Sequence, residues 1–279
     1  MDEIRDAAAF RERVAAEHAR RDPGRYPDQD RENAARYAGW MLAEGRAEEA
    51  FLALETAAAL RLGHHQPVPS APEVAAALRA TGAAALLYLH PTDDAARSAG
   101  VLRLDPLTDR LEVLANIPVT DPLTSDDPGW PAVFAAVSTG LATGLATGPP
   151  HLVIAATGPL ARLALPAIRT DTGRYLAEEV SLTHVPSGTE LIALDGHSGV
   201  LGWLWPVPAP AAGLALFLTR LIFAEQGLSP AATVSAVQRW FLDPDRTLPP
   251  SLPAPHRHTA TTTDLTRPDL WAALACHGR

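Results

Sequence analysis

Three groups of residues in this chain of 279 could do chemistry. In Gly196-His197-Ser198-Gly199 a hydroxyl sits between an imidazole and a glycine, as in the Gly-x-Ser-x-Gly turn that presents a serine nucleophile. That turn needs a fifth-position glycine and a helix behind it. Here Val200 stands fifth and an apolar run follows, so the segment reads as a plain loop. Cys276-His277-Gly278 pairs a thiol with an imidazole, but its surroundings place it in a closing strand. Neighbours in a strand face opposite ways, which suits a packed thiol better than a dyad. His64-His65 and His256-Arg257-His258 would hold a metal only if further ligands converged on them, and both lie among prolines, where solvated histidines are ordinary.

The remaining candidates are weaker still. Asp121, Asp126 and Asp127 fall in a polar stretch and read as solvated rather than paired for acid-base work. Trp203 and Trp205 alternate along a strand and share a face, with Trp240 on a nearby helix; core packing accounts for them unless a ring is left exposed as a partner surface. There is no glycine-rich phosphate loop, zinc-spaced cysteine set or basic aromatic patch. No catalytic, cofactor-binding or metal-binding residue is therefore assigned.

Charge and composition set the outer bounds. A net charge of −9, from 23 basic and 32 acidic residues, does not suit a polyphosphate, so nucleic acid is not an expected partner. No apolar run reaches the length of about eighteen residues that a membrane span needs. Met1-Asp2-Glu3-Ile4-Arg5 is too acidic for a secretory signal, and a single cysteine permits no internal disulfide; both lead to an expected cytoplasmic location. With 47% hydrophobic residues the chain can bury one large core, or one core plus a small helical appendage. Its Ala- and Pro-rich, arginine-heavy composition suggests a high-GC genome.

The elements that must position these residues fall into two expected units. Residues 1–66 are helical: an Ala-rich helix over 1–20, a break at Asp22-Pro23-Gly24, then a hairpin from Asp30 to Leu62 turning at Gly45-Arg46. Tyr37, Met41, Ala50, Leu54 and Ala57 sit like the packing positions of a tetratricopeptide repeat. Such repeats are stable only in arrays of about three, so this hairpin must dock on something. Residues 67–279 form an α/β unit. Pro67, Pro69 and Pro72 link it to the hairpin, and a helix starts near Ser70. Leu86 to Leu89 is a buried strand, and Gly100–Leu104 with Arg110–Leu114 is a hairpin. The segment around 118–150 is a Pro-, Gly- and Thr-rich internal loop with a repeated Gly-Leu-Ala-Thr and at most one helix, near Pro131 to Val137. Leu152–Ala156 and Val200–Trp205 are near-continuous apolar runs, the pattern of strands covered on both faces. Leu214, Phe217, Leu218, Leu221 and Ile222 form one helical stripe, and Ser229-Pro230 starts another helix.

The order of these segments resembles the CHAT family, caspase-like cysteine peptidase domains that often follow tetratricopeptide repeats in actinobacterial proteins. Leu152 to Leu160 with Leu163 to Ala167 is similar to the family's apolar run, Gly-Pro-Leu and Pro-x-Ala; Thr172 to Glu179 is similar to its "dGRYLaE"; Val180 to Ser187 is similar to the strand that follows. Gly199 to Pro208 resembles "GVxGTLWPVPD", Gly227 to Asp243 resembles "GxSPAxAxxxAQRWLRD", and Trp271 to Gly278 resembles the closing "WAAFxxxG". Pro72 to Leu89 looks like the family's opening helix and strand. The resemblance covers most of the chain from about Ser70, with a central gap.

Between Leu191 and Gly199 there is neither an "HxxHG" nor an "LSACxTG" segment, the contexts in which the family carries its catalytic His and Cys. A thiol without a base or positive charge beside it is a poor nucleophile. The resemblance thus implies a caspase-like three-layer α/β sandwich with a truncated, mostly parallel sheet, the strand at Leu152 pairing directly with that at Val200. It also implies a non-catalytic pseudo-peptidase that binds or regulates a protein partner, such as another CHAT or repeat protein or a second copy. The rival expectation is a hydrolase with a rearranged site using Cys276, or His197 with Ser198.

Overall fold

A computed structural model describes residues 27–62, 68–92, 98–118, 150–170, 172–193 and 199–278. The expected hairpin is present as α1 (Pro27–Ala43) and α2 (Ala47–Leu62), with Gly45 at φ 73° in the joint. Tyr37, Met41, Ala50 and Leu54 are all buried. The Ala-rich helix over 1–20, His64 and His65, the loop from 119 to 149 with Asp121, Asp126 and Asp127, and the His197-Ser198 turn lie outside the described residues.

Helix α3 (Ala71–Thr81) begins at Ser70, whose backbone N–H and hydroxyl both donate at 2.7 Å to the Glu73 carboxylate. The chain then runs through β1 (Ala85–Pro91) and the hairpin β2 (Ser98–Asp105) and β3 (Arg110–Pro118). After β4 (His151–Ala156), 3-10 turns over Gly158–Arg162 and Leu165–Ala167 lead to α4 (Leu176–Glu179) and β5 (Ser181–His184). Next come α5 (Gly188–Ala193) and β6 (Val200–Trp203), followed by α6 (Ala209–Gln226) and α7 (Pro230–Leu242). Helices α8 (Ala254–Thr262) and α9 (Pro268–Trp271) precede the closing strand β7 (Leu274–His277).

Among the described residues these strands form one seven-stranded sheet in the order β3-β2-β1-β4-β5-β7-β6. The sheet is mixed rather than mostly parallel: β1, β4, β5 and β7 pair in parallel, while β2, β3 and β6 pair antiparallel to their neighbours. The expected pairing of the Leu152 strand with the Val200 strand does not occur. Strand β4 lies between β1 and β5, and the C-terminal strand β7 takes the place beside β5, leaving β6 paired to β7 alone. The Val200 run is consequently an edge strand, not one covered on both faces. It ends at Trp203, and Val200 is 66% exposed.

Alternation along β1 divides the core. Leu86 and Tyr88 join a cluster built with α1, α2, α3 and α5, whereas Ala85, Leu87 and Leu89 join one built with the 3-10 turns and α4 on the opposite face. The hairpin is therefore docked on the sheet and shares its core. A third cluster gathers Leu214 and Leu218 of α6, Val234, Val237 and Phe241 of α7, and Trp271 around Leu274 and Cys276 of β7. Trp203, Trp205 and Trp240 pack partly buried against it. The Trp205 indole N–H donates to the Asp269 carbonyl at 3.3 Å and that of Trp240 to the Thr247 carbonyl at 3.1 Å.

One buried carboxylate joins the hairpin to the sheet. Glu55 on α2 is fully buried and accepts from the Tyr88 hydroxyl (2.8 Å), the Gly188 and Thr189 backbone N–H groups (2.7 Å each) and the Thr189 hydroxyl (2.7 Å). A carboxylate offers about four lone-pair sites, and these four donors fill them. Gly188 is the residue that fits: a Cβ there would stand 2.8 Å from both the Tyr88 hydroxyl oxygen and Val74. Replacing Glu55 with Ala leaves several buried donors without a partner, and the expected cost is about 3–5 kcal/mol. Urea unfolding of Glu55→Ala and Glu55→Gln checks this. The Ala variant should lose most of the denaturation midpoint and Gln less, since Gln retains one acceptor oxygen.

Candidate functional site

The carboxyl ends of the adjacent parallel strands β1 and β4 open into a cleft roofed by the hairpin. Ligands of open α/β sheets are commonly bound at such strand ends. The cleft has a volume of about 580 Å³. Its walls are Trp40 of α1, Leu54, Ala58 and Arg61 of α2, and its floor includes His90 of β1 and Thr157 just past β4. Helix α1 reaches this close to the sheet because residue 39 is glycine; a Cβ there would meet the Pro91 carbonyl oxygen at 2.8 Å.

The floor hydrogen bonds fix the tautomer of His90. Its Nε2 lies 2.7 Å from the Ala35 carbonyl, which can only accept, so Nε2 carries the proton. Burial pulls the imidazole down to about 4, against the raising effect of the Ala35 bond, so the ring is neutral and Nδ1 is an acceptor. The Thr157 hydroxyl, 2.6 Å from Nδ1, is then the donor. Hydroxyl, base and orienting carbonyl are all present. Burial keeps the ring neutral at neutral pH, and both of its nitrogens are engaged within the floor of the cleft. Around this floor the cleft presents the partly exposed Trp40 ring, 42% exposed, and Arg61, whose guanidinium donates to the Pro186 carbonyl at 3.3 Å.

The cysteine lies elsewhere. Cys276 is fully buried in β7, in register with Thr183 of β5, and burial pushes its thiol up to about 11 while the Thr183 hydroxyl pulls the other way. On the other side of Thr183, His151 Nε2 lies 2.8 Å from the same hydroxyl. His277 follows Cys276 in a strand and so points to the other face, as the sequence implies. Thus β7 does not bring Cys276 and His277 together as a dyad. His256 and His258 lie on helix α8, not in a proline-rich loop, and the His256 ring stacks against Phe217 at 5.5 Å. Among the described residues no three His, Cys, Asp or Glu side chains cluster as a metal site. No helix among them is long and apolar enough to cross a membrane.

Sequence reasoning missed His90, Thr157 and Glu55. The usable signal for the first two was positional: each ends or follows an apolar strand run, the place from which side chains face a strand-end cleft. Comparison with protein-family models, curated proteins and solved structures finds no match.

Three buried imidazoles give the fold a pH dependence of definite sign. His90, His151 and His184 are held at about 4, chiefly by burial, against 6.5 for a free imidazole. Their folded values are depressed, so the unfolded chain binds the extra protons, and their contribution is present above about pH 6.5 and lost as pH falls towards 4. Acidification through that range costs up to about 3 kcal/mol per group. The urea midpoint should therefore fall between pH 7 and pH 5, before most carboxylates titrate, and His90→Gln should flatten that fall. A midpoint independent of pH over this range contradicts the assignment.

Proposed function

We propose that this chain is a degenerate CHAT-like module that has lost the family's peptidase centre and works by binding a protein partner in the cleft between its hairpin and the ends of β1 and β4. The observation that carries this reading is the separation of the cleft from the thiol. The cleft holds a neutral, fully engaged imidazole, whereas Cys276 is sealed in the core with its thiol raised to about 11. A nucleophilic cysteine needs the opposite surroundings, partial exposure and a stabilised thiolate.

The partner is a protein segment with an apolar side chain to lie against Trp40 and a carbonyl or carboxylate within reach of Arg61. Another CHAT or repeat protein of the same cytoplasm is the expected source, and a second copy of the chain is a further one, since edge strands such as β6 can pair between chains. The rival hydrolase reading, built on Cys276 or on His197 with Ser198, is disfavoured at Cys276 by burial.

A displayed library of random peptide segments, panned against the full chain, tests the proposal. The expected result is enrichment of segments whose affinity falls roughly tenfold or more in Trp40→Ala, the loss typical of an aromatic anchor, with no cleavage of the bound segment. Hydrolysis of selected segments, or binding indifferent to Trp40→Ala, overturns it.

A further inference from the structure

A second group of side chains lies at the same end of the sheet, on β5 and β7, the two strands next to those of the cleft. His184, the last residue of β5, and His277, the last of β7, face each other in the parallel ladder, with ring centroids 5.7 Å apart and planes tilted by 40°. His184 is buried, 7% exposed, and its Nε2 has no hydrogen-bond partner among the described residues. A buried polar atom left in this way calls for a ligand, since desolvating it without a bond is costly. His277 is half-buried beside Gly202, where a Cβ would crowd its ring at 3.2–3.4 Å.

We propose that His184 and His277 form a site for a borderline divalent transition ion, with Zn²⁺ the best match, bridging the carboxyl ends of β5 and β7. Neutral imidazole is a preferred ligand of such ions. Two imidazole nitrogens about 2.0–2.1 Å from one tetrahedral ion put their ring centroids roughly 5–6 Å apart, the spacing found here. Cys276 is not a third ligand, because strand alternation turns it to the other face, towards Thr183. No third His, Cys, Asp or Glu joins the pair among the described residues, so water completes the coordination and the ion is dissociable. The site is independent of the cleft and of what the cleft binds.

The full chain, freed of metal with a chelator, is titrated with ZnCl₂ and followed by calorimetry and by the long-range ¹H–¹⁵N signals of its histidine rings. The expected result is one equivalent bound, displacement of the His184 and His277 ring signals, and a Tm that rises with Zn²⁺ because the ion binds only the folded chain. His277→Gln, at a half-buried position, should weaken binding roughly tenfold or more. His256→Gln with His258→Gln on α8 should leave it unchanged. Absence of binding, binding unaltered by His277→Gln, or binding removed by the α8 pair overturns the proposal.

Discussion

The Glu55 carboxylate is the interaction on which the arrangement depends. It sits on a helix of the N-terminal hairpin, yet its four donors come from β1 and from the start of α5, 33 and 133 or more residues further along the chain. A buried carboxylate without those donors would be strongly unfavourable. The apolar face of α2 can therefore lie flat on the sheet only where Tyr88, Gly188 and Thr189 converge. This registers the hairpin on the sheet. Burial and the carboxylate together hold the Tyr88 hydroxyl well above the usual phenol range, keeping it a donor. Phe51 packs edge-on against the same ring at 5.8 Å, so apolar contact and polar registry act at one spot.

Once the hairpin is fixed there, the rest of its geometry follows. Gly39 brings α1 against the end of β1, and residues of both helices and of the strand ends together line the cleft. The His90 bond to the Ala35 carbonyl then ties the floor of the cleft to its roof. At the far end, α7 is held to the sheet by Gln238, whose amide donates to the Leu274 carbonyl at 2.9 Å, and the third core cluster closes over Cys276. The lone thiol is thereby packed as a small apolar group, away from the cleft that holds Trp40, Arg61 and His90.

Much of the local structure was legible in the sequence because its causes are local. Leu86 to Leu89, the hairpin around Asp105 to Asp109, and the Ser229-Pro230 helix start depend on neighbours in the chain, and all are present; Ser229 Oγ accepts from Ala232 N–H at 3.3 Å. The position of Cys276 in a closing strand was legible for the same reason. Strand order was not, because pairing β7 with β5 brings together residues about ninety positions apart, and no local pattern records the choice. The apolar run at Val200 was misread because side chains that pack beyond a strand's end, such as Trp205 and Val207, look the same in sequence as those of a central strand. Glu55 was invisible for a related reason. In Glu55-Thr56-Ala57 it resembles the solvated face of a helix, and only its distant donors show otherwise.

The proposed binding role requires that neither Cys276 nor Ser198 act as a nucleophile in the folded chain. The most direct test is labelling with a broad cysteine- and serine-directed activity probe, read by intact mass on the wild type, Cys276→Ala and Ser198→Ala under native and denaturing conditions. The account predicts no native labelling of the wild type, with Cys276 reacting only after unfolding. Fast, saturable native labelling abolished by either substitution would contradict it and establish a working hydrolytic centre.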